Sequence, residues 1–185
     1  SGTIGEGNAL GVVHATGAGD IIFDNSVRAA MLRIASDNAK IYFNHLHSMT
    51  GNIIFAANAN IIIKDGGTIK GKVDARYEDL GTLHFSGNGI VTGSVGSTQY
   101  IHGIKLTGDH NKLVTFDNTV DASLIELNNG AIISLKDNTF VDQIIINHQN
   151  SHIKIGNDKE LKLSGKEHTN IIGGNNDIVF SNANS

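Results

Sequence analysis

Short apolar runs alternate with clusters of Gly, Asn and Asp along this chain, and the alternation returns at nearly constant intervals. The stretch 61–74 reads IIIKDGGTIKGKVD, and the stretch 83–96 reads LHFSGNGIVTGSVG. An offset of 22 residues superimposes them and places Gly71 on Gly93. Similar sequences recur at 21–27, 114–120, 133–140 and 152–161. The pattern predicts short strands joined by tight turns and repeated many times.

The spacing between the apolar residues that directly precede each polar turn gives the length of the repeat. One series advances by a nearly constant step and comprises Phe23, Phe43, Ile63, Phe85 and Leu106. A second series has the same step until a longer last one and comprises Phe116, Leu135, Ile155 and Phe180. The two series are out of phase by about half a turn, which predicts a long loop or a change of face at 107–112.

A fixed period of about 20 residues is the signature of a solenoid. Leucine-rich repeats would need a regular run of Leu, and ankyrin or tetratricopeptide repeats would need two helices per period. The chain has neither pattern. Three short strands per turn remain, with Gly, Asn and Asp at the corners because these residues tolerate positive φ. The sequence therefore predicts an all-β fold, a right-handed parallel β-helix of about 20 residues per rung.

Two regions leave the local structure more open. Residues 1–20 are Gly-rich and predict a cap or a frayed first rung, and 181–185 predict a disordered end. The segment 27–38 fits either one short helix or another rung strand. Helical spacing relates four of its apolar residues, Val27, Ala30, Met31 and Ile34.

Three asparagines stand at nearly one-rung intervals after the second series of anchors, namely Asn118, Asn138 and Asn157. They predict an internal or corner ladder whose amides bond along the stack. The alternative is that Asn occupies these positions only because it forms turns well.

Composition excludes several classes of partner. The chain of 185 residues has a net charge of −4 and only three Arg, so it has no basic surface for nucleic acid or anionic lipid. The chain contains no apolar run of about 18 residues, the length that a membrane-spanning helix needs. The absence of Cys excludes a disulfide framework and a thiol nucleophile.

The stretch 81–96, GTLHFSGNGIVTGSVG, and its partner 67–74, GTIKGKVD, resemble phrases of the rickettsial surface cell antigen autotransporters. The matching phrases are Gly-Thr-Leu, Phe-x-Gly-Asn and Val-Thr-Gly-x-Val-Gly. The Asn- and Ile-rich, Cys-free character of the chain is similar to that family as well.

The resemblance implies a single β-helical fragment, 1–185, of a larger secreted passenger domain linked to a C-terminal β-barrel in the outer membrane. It implies a location at the bacterial cell surface and a role in adhesion to, or invasion of, host cells. The partner would be a host cell-surface protein or glycan. Two other functions stay open, a glycan-binding or glycan-cleaving β-helix and a purely structural spacer rod.

Histidines are the first candidates for chemistry. His45 and His47 would lie on one face of a strand, with Asp65 one rung away, and could bind a divalent metal if a third ligand were present. His148 and His168 are one rung apart and could stack on one edge. Solvent-facing polar residues explain both pairs more simply, and no metal site is assigned.

Carboxylates are the second candidates, because β-helical polysaccharide-cleaving enzymes need clustered acids or a Ca²⁺ site with a basic residue. Asp117, Asp137 and Asp158 fall near one-rung spacing, but each occupies a turn position that Asp fills for conformational reasons. The basic residues Arg28, Arg33 and Arg76 are far from them in the sequence. We therefore predict no enzyme activity, no catalytic residue and no cofactor.

Loops on a rigid scaffold commonly carry recognition. Three of them are the first targets for mutation, 44–51, 76–80 and 108–112, although the ligand-binding residues themselves are unknown from the sequence.

Overall fold

The computed structural model of the chain describes residues 2–44, 46–163 and, for the backbone alone, 171–173. Every strand pair in this part is parallel, and it contains no helix. About eight turns are stacked as a β-solenoid with a repeat of about 20 residues, which confirms the predicted class. Predictions about His45, His168, Phe180 and the end 181–185 lie outside the described residues.

Each turn visits three faces. Face A contains β7 (Gly67–Lys70), β10 (Gly89–Val91), β12 (Leu113–Phe116), β14 (Ile132–Leu135) and β16 (His152–Ile155). Face B contains β1 (Leu10–Ala15), β8 (Val73–Ala75) and β17 (Leu161–Leu163). Face C contains β2 (Asp20–Phe23), β4 (Lys40–Phe43), β6 (Asn60–Ile63), β9 (Thr82–Phe85), β11 (Ile101–Leu106) and β18 (Ile171–Gly173).

Four longer strands bend across two faces. Faces A and B share β3 (Val27–Ile34) and β5 (Ser48–Phe55), because β5 pairs with both β7 and β8. Faces B and C share β13 (Val120–Leu127) and β15 (Thr139–Ile146), because β15 pairs with both β17 and β18. The corner at which the strand continues therefore changes along the stack.

Side chains of successive turns form continuous columns in the interior. The first anchor series lies in register on face C, where Phe23 pairs with Phe43 and Phe85 pairs with Leu106. The column continues through Leu127 and Ile146. Burial of these aliphatic and aromatic side chains supplies the main stabilising free energy. The predicted repetition of the anchor residues thus forms one apolar core.

The second anchor series lies on face A, where Phe116, Leu135 and Ile155 are in register. The segment 107–112 connects face C to face A, as 64–66 and 86–88 do in earlier turns. The phase difference thus reflects a change of face, which was one of the two predicted explanations.

The helix considered at 27–38 is wrong, because Val27–Ile34 is strand β3. Its buried residues are Val27, Ala29, Leu32 and Ile34, whereas Ala30 is exposed. Two successive outward residues interrupt the alternation, and the register shifts there by a β-bulge between Arg28 and Met31. Such an interruption makes a bent strand resemble helical spacing.

Candidate functional site

An amide ladder exists in the solenoid, but at a different corner from the predicted one. Where face C ends, the Nδ2 of Asn147 donates to the Oδ1 of Asn128 at 2.9 Å, and the Nδ2 of Asn128 donates to the carbonyl of Leu106 at 3.3 Å. In the earlier turns the Nδ2 of Asn44 donates to the Oδ1 of Asp24. These bonds run along the stack and tie neighbouring turns together.

Two of the three predicted ladder residues bond to backbone instead. The Nδ2 of Asn118 donates to the carbonyl of Thr92 at 2.7 Å, and the Oδ1 of Asn138 accepts from the N–H of Glu160 at 3.0 Å. The register at this corner pairs Phe116 with Leu135. Counted from that pair, Asn118 is opposite Asp137, one position short of Asn138, so the two amides do not meet.

Of the four candidate histidines, the structure describes His47 and His148, which lie in different turns of the solenoid. His47 has its N–H on the carbonyl of Asn44 at 3.1 Å, in the connection between β4 and β5. The ring of His148 instead packs edge-on against His110, with centroids 6.1 Å apart. Gly130 lies between these two rings, because an added Cβ would be 2.7 Å from the Nδ1 of His110 and 3.4 Å from the Nδ1 of His148.

The candidate carboxylates Asp117, Asp137 and Asp158 lie in successive connections from face A to face B, but Asp117 and Asp137 differ in register by one position. Counted from the pairing of Phe116 with Leu135, Asp117 is in register with Lys136, and Asp137 is in register with Asn118. The Nζ of Lys159 lies 2.8 Å from the Oδ1 of Asp137. Hydrogen bonds from Lys159 and from the N–H of Asn138 lower the pKa of Asp137. Within the described chain, no three His, Asp or Glu side chains form a group that could hold a metal ion.

The three arginines also stand apart from the carboxylates. Arg76 stacks over the ring of Tyr77 at 5.4 Å, in the segment 76–80. Arg28 and Arg33 belong to β3.

The segment 108–112 is tied to an earlier turn by a charged pair. The Nζ of Lys112 reaches the Oδ2 of Asp65 at 3.2 Å. The N–H of Asn88 and then Lys112 hold the pKa of Asp65 below its usual value.

Face C carries an outward row of polar side chains that the sequence reasoning missed. His84, Lys105 and Glu126 stand at the same register in β9, β11 and β13. The Nζ of Lys105 lies 2.9 Å from the Oε2 of Glu126, and the Nε2 of His84 lies 2.6 Å from the Oγ1 of Thr107. These contacts run from turn to turn and hold the row in place.

Burial and neighbouring polar groups together set the protonation of this row. Burial lowers the pKa of His84, and the neighbouring Lys105 lowers it further, so the imidazole is neutral at pH 7. Burial acts to raise the pKa of Glu126, but hydrogen bonds from Lys105 and Asn128 outweigh it and the net pKa is lowered. The row therefore presents one cation and one anion, paired with each other.

A depression opens on face C beside this row. Its volume is about 170 Å³, and it is lined by Asn60, Thr82, His102, Gly103, Ile104, Lys105, Leu124 and Glu126. Gly103 is in register with Thr82 on one side and Leu124 on the other. A glycine inside a strand can mark a close approach of backbone or ligand, and Gly103 was the signal available in the sequence.

His102 lies at the rim of the depression and is held there by Asp79. Its Nδ1 lies 3.0 Å from the Oδ1 of Asp79, which also accepts from the Oγ of Ser123 at 2.6 Å. A carboxylate can only accept, so Nδ1 of His102 carries a proton and donates it to Asp79.

No family model, no curated protein and no solved structure matches the chain. Its class therefore rests on its fold, that of a parallel β-solenoid. The described part of the chain contains no helix that is long and apolar enough to cross a membrane.

Proposed function

We propose that this chain is a non-enzymatic segment of a bacterial autotransporter passenger, displayed at the cell surface, and that it adheres to a host cell-surface protein or glycan. The observation that carries the proposal is the relation between the resembling phrases and the turn. The stretch 81–96 spans β9, β10 and Val95, and therefore covers one turn over all three faces.

The glycines of these phrases are needed by the stacking. An added Cβ on Gly93 would lie 2.1 Å from the carbonyl oxygen of Gly71, and one on Gly87 would lie 2.6 Å from the Cβ of Asp65. The resemblance to the passenger family thus rests on residues that build a turn. It supports a shared architecture, with recognition left to outward side chains.

The architecture suits display. Parallel strands lie about 4.8 Å apart, so about eight turns make a rod roughly 40 Å long. Neighbouring turns are joined by side-chain contacts such as Lys105 with Glu126 and Asn147 with Asn128. A rod of this kind holds outward residues at fixed spacing, which favours recognition of an extended partner.

Binding of the purified, fluorescently labelled chain to cultured endothelial cells tests the proposal. We expect saturable binding that unlabelled chain displaces. Binding that stays linear with concentration and is not displaced would contradict an adhesive role and would favour a spacer rod. Release of reducing ends from cell-surface polysaccharides would contradict the non-enzymatic part.

A further inference from the structure

Gly103 differs from the other glycines packed inside this solenoid. An added Cβ on Gly67 would lie 2.5 Å from the Cγ2 of Ile63, and one on Gly81 would lie 2.0 Å from the ring of Phe55. At Gly103 the nearest atoms would be the carbonyl oxygen of Leu124 at 3.6 Å and the Oγ1 of Thr82 at 3.8 Å, which is ordinary van der Waals contact. Stacking does not require a glycine here, yet its missing side chain leaves the depression open.

The lining offers both donors and acceptors around an apolar patch. Thr82 and Asn60 carry a hydroxyl and an amide, and Leu124 contributes an aliphatic surface. On the other side Lys105 donates and Glu126 accepts, at adjacent positions of the same outward row. Such a mixture matches a ring with hydroxyl groups at its edge and C–H groups on its face.

Charge restricts the ligand further. The ammonium of Lys105 is paired with the carboxylate of Glu126, and His102 rests against Asp79. An acidic sugar would have to break one of these pairs, whereas neutral hydroxyl groups can share them. The volume, about 170 Å³, is below the roughly 300 to 1,000 Å³ of pockets for drug-sized ligands. One monosaccharide unit is the matching size.

We propose that the depression at Gly103 is a binding subsite for one neutral pyranose unit of a glycan. The inference rests on the proposed adhesive function and names the chemistry of its partner. Two neighbouring hydroxyl groups of the sugar bind the Lys105–Glu126 pair, one accepting from the ammonium and the other donating to the carboxylate. The pair is pre-organised, because the Nδ2 of Asn128 also donates to the Oε1 of Glu126 at 3.1 Å.

Titration of the ¹⁵N-labelled chain with neutral methyl glycosides tests the subsite. The probes are methyl α-D-mannopyranoside, methyl β-D-galactopyranoside and methyl β-D-glucopyranoside, with methyl β-D-glucuronide as the acidic comparator. We expect saturable amide shifts at Thr82, Gly103, Lys105 and Leu124 with at least one neutral glycoside. A single sugar ring should give a Kd of roughly 1 mM, and the glucuronide should bind more weakly.

Gly103→Val fills the depression and should weaken binding at least tenfold. Gly11→Val is the matched control in β1, since an added Cβ at Gly11 meets nothing within 4 Å, and it should leave the Kd unchanged. Gly103→Ala adds a single methyl group and serves if the Val variant does not fold. Lys105→Met should also weaken binding, because it removes the donor.

The subsite is overturned if shifts are absent or unsaturable, if the glucuronide alone binds, or if filling Gly103 leaves the Kd unchanged. The cell assay separates this failure from that of the adhesive proposal. Saturable cell binding that Gly103→Val retains would leave adhesion standing without the subsite. Saturable sugar binding without cell binding would leave the subsite standing without adhesion.

Discussion

The early and late turns of the solenoid use the same bent strand at different corners. In β3, the buried residues are Val27, Ala29, Leu32 and Ile34, and the bend joins face A to face B through its pairing with β5. The same spacing recurs in β13 with Val120, Ala122, Ile125 and Leu127, where the bend joins face B to face C. The same type of bent strand can therefore occur at either corner, provided that the interior columns of side chains stay in register.

Val95 marks the exchange between the two arrangements. It forms isolated parallel bridges with Val73 below and Val120 above. The segment 92–100 that contains it is the longest connection between consecutive strands from β1 to β17. Face B thus keeps its column through a turn in which it has no strand of its own.

The corner between faces A and B closes by different means in the early and the late turns. Between faces A and B, the early turns bring backbone onto backbone, since an added Cβ on Gly71 would lie 2.2 Å from the carbonyl oxygen of Gly51. The late turns close the same corner with the short segments 117–119 and 136–138. The first corner depends on glycine, and the second depends on Asp and Asn in tight turns.

Gly71→Val should break the early corner and gives the largest expected effect. Its φ of +155° and the close carbonyl of Gly51 leave no room for a side chain. We expect a loss of about 4 kcal/mol or more in the free energy of unfolding, measured by urea denaturation. Gly103→Val is the matched control and should change it by less than about 1 kcal/mol. Equal losses at both sites would contradict a corner that depends on glycine.

Phe85→Ala should cost nearly as much, because Phe85 is fully buried and packs edge-on against Phe116 with ring centroids 5.9 Å apart. We expect a loss of about 3 to 5 kcal/mol, measured by the same denaturation. Phe23→Ala is the comparison near the first turn, where the ring is only partly buried and stacks on Phe43 at 5.2 Å. Its cost should be smaller by about half. A larger loss at Phe23 would contradict the expectation that the more deeply buried ring contributes more to the free energy of unfolding.

The columns were predictable from the sequence because every turn repeats their chemistry. Phe43, Ile63 and Phe85 precede a polar turn each time, and the spacing alone placed them in register. The bent strand at 27–34 also fitted a helix, since two outward residues in succession imitate a helical period. Its recurrence at 120–127 and 139–146 was the signal that could have decided it.

The depression was not predictable, because it depends on side chains from four turns. Asn60, Thr82, Gly103 and Leu124 each lie one turn after the one before, and only the register brings them together. The predicted asparagine ladder failed for a related reason. Asn118 and Asn138 stand one register position apart in successive turns of the solenoid, so their amides do not meet. Architecture follows from the period, whereas a site on a solenoid follows from the exact register.

Asp121→Asn gives the smallest expected effect and concerns the corner between faces B and C. Burial raises the pKa of Asp121, and the nearby Asp142 and Glu78 raise it further. The charged carboxylate therefore opposes folding at pH 7, and its removal should stabilise the chain by less than about 1 kcal/mol, because solvent screens a partly exposed group.

The pH dependence gives this last prediction its sign. A folded pKa above the unfolded value means that the native state gains stability as pH falls through the raised pKa, until the unfolded carboxyl also protonates near about 3.9. The advantage of Asp121→Asn should therefore be present at pH 7 and fade as the pH falls through that window. Asp65→Asn is the opposite control. The lowered pKa of Asp65 means that its carboxylate stabilises the native state at pH values above the unfolded pKa, so this variant should lose stability at pH 7. Urea midpoints at pH 7 and near pH 4 measure both variants, and an advantage for Asp121→Asn that grows on acidification would contradict the assigned direction.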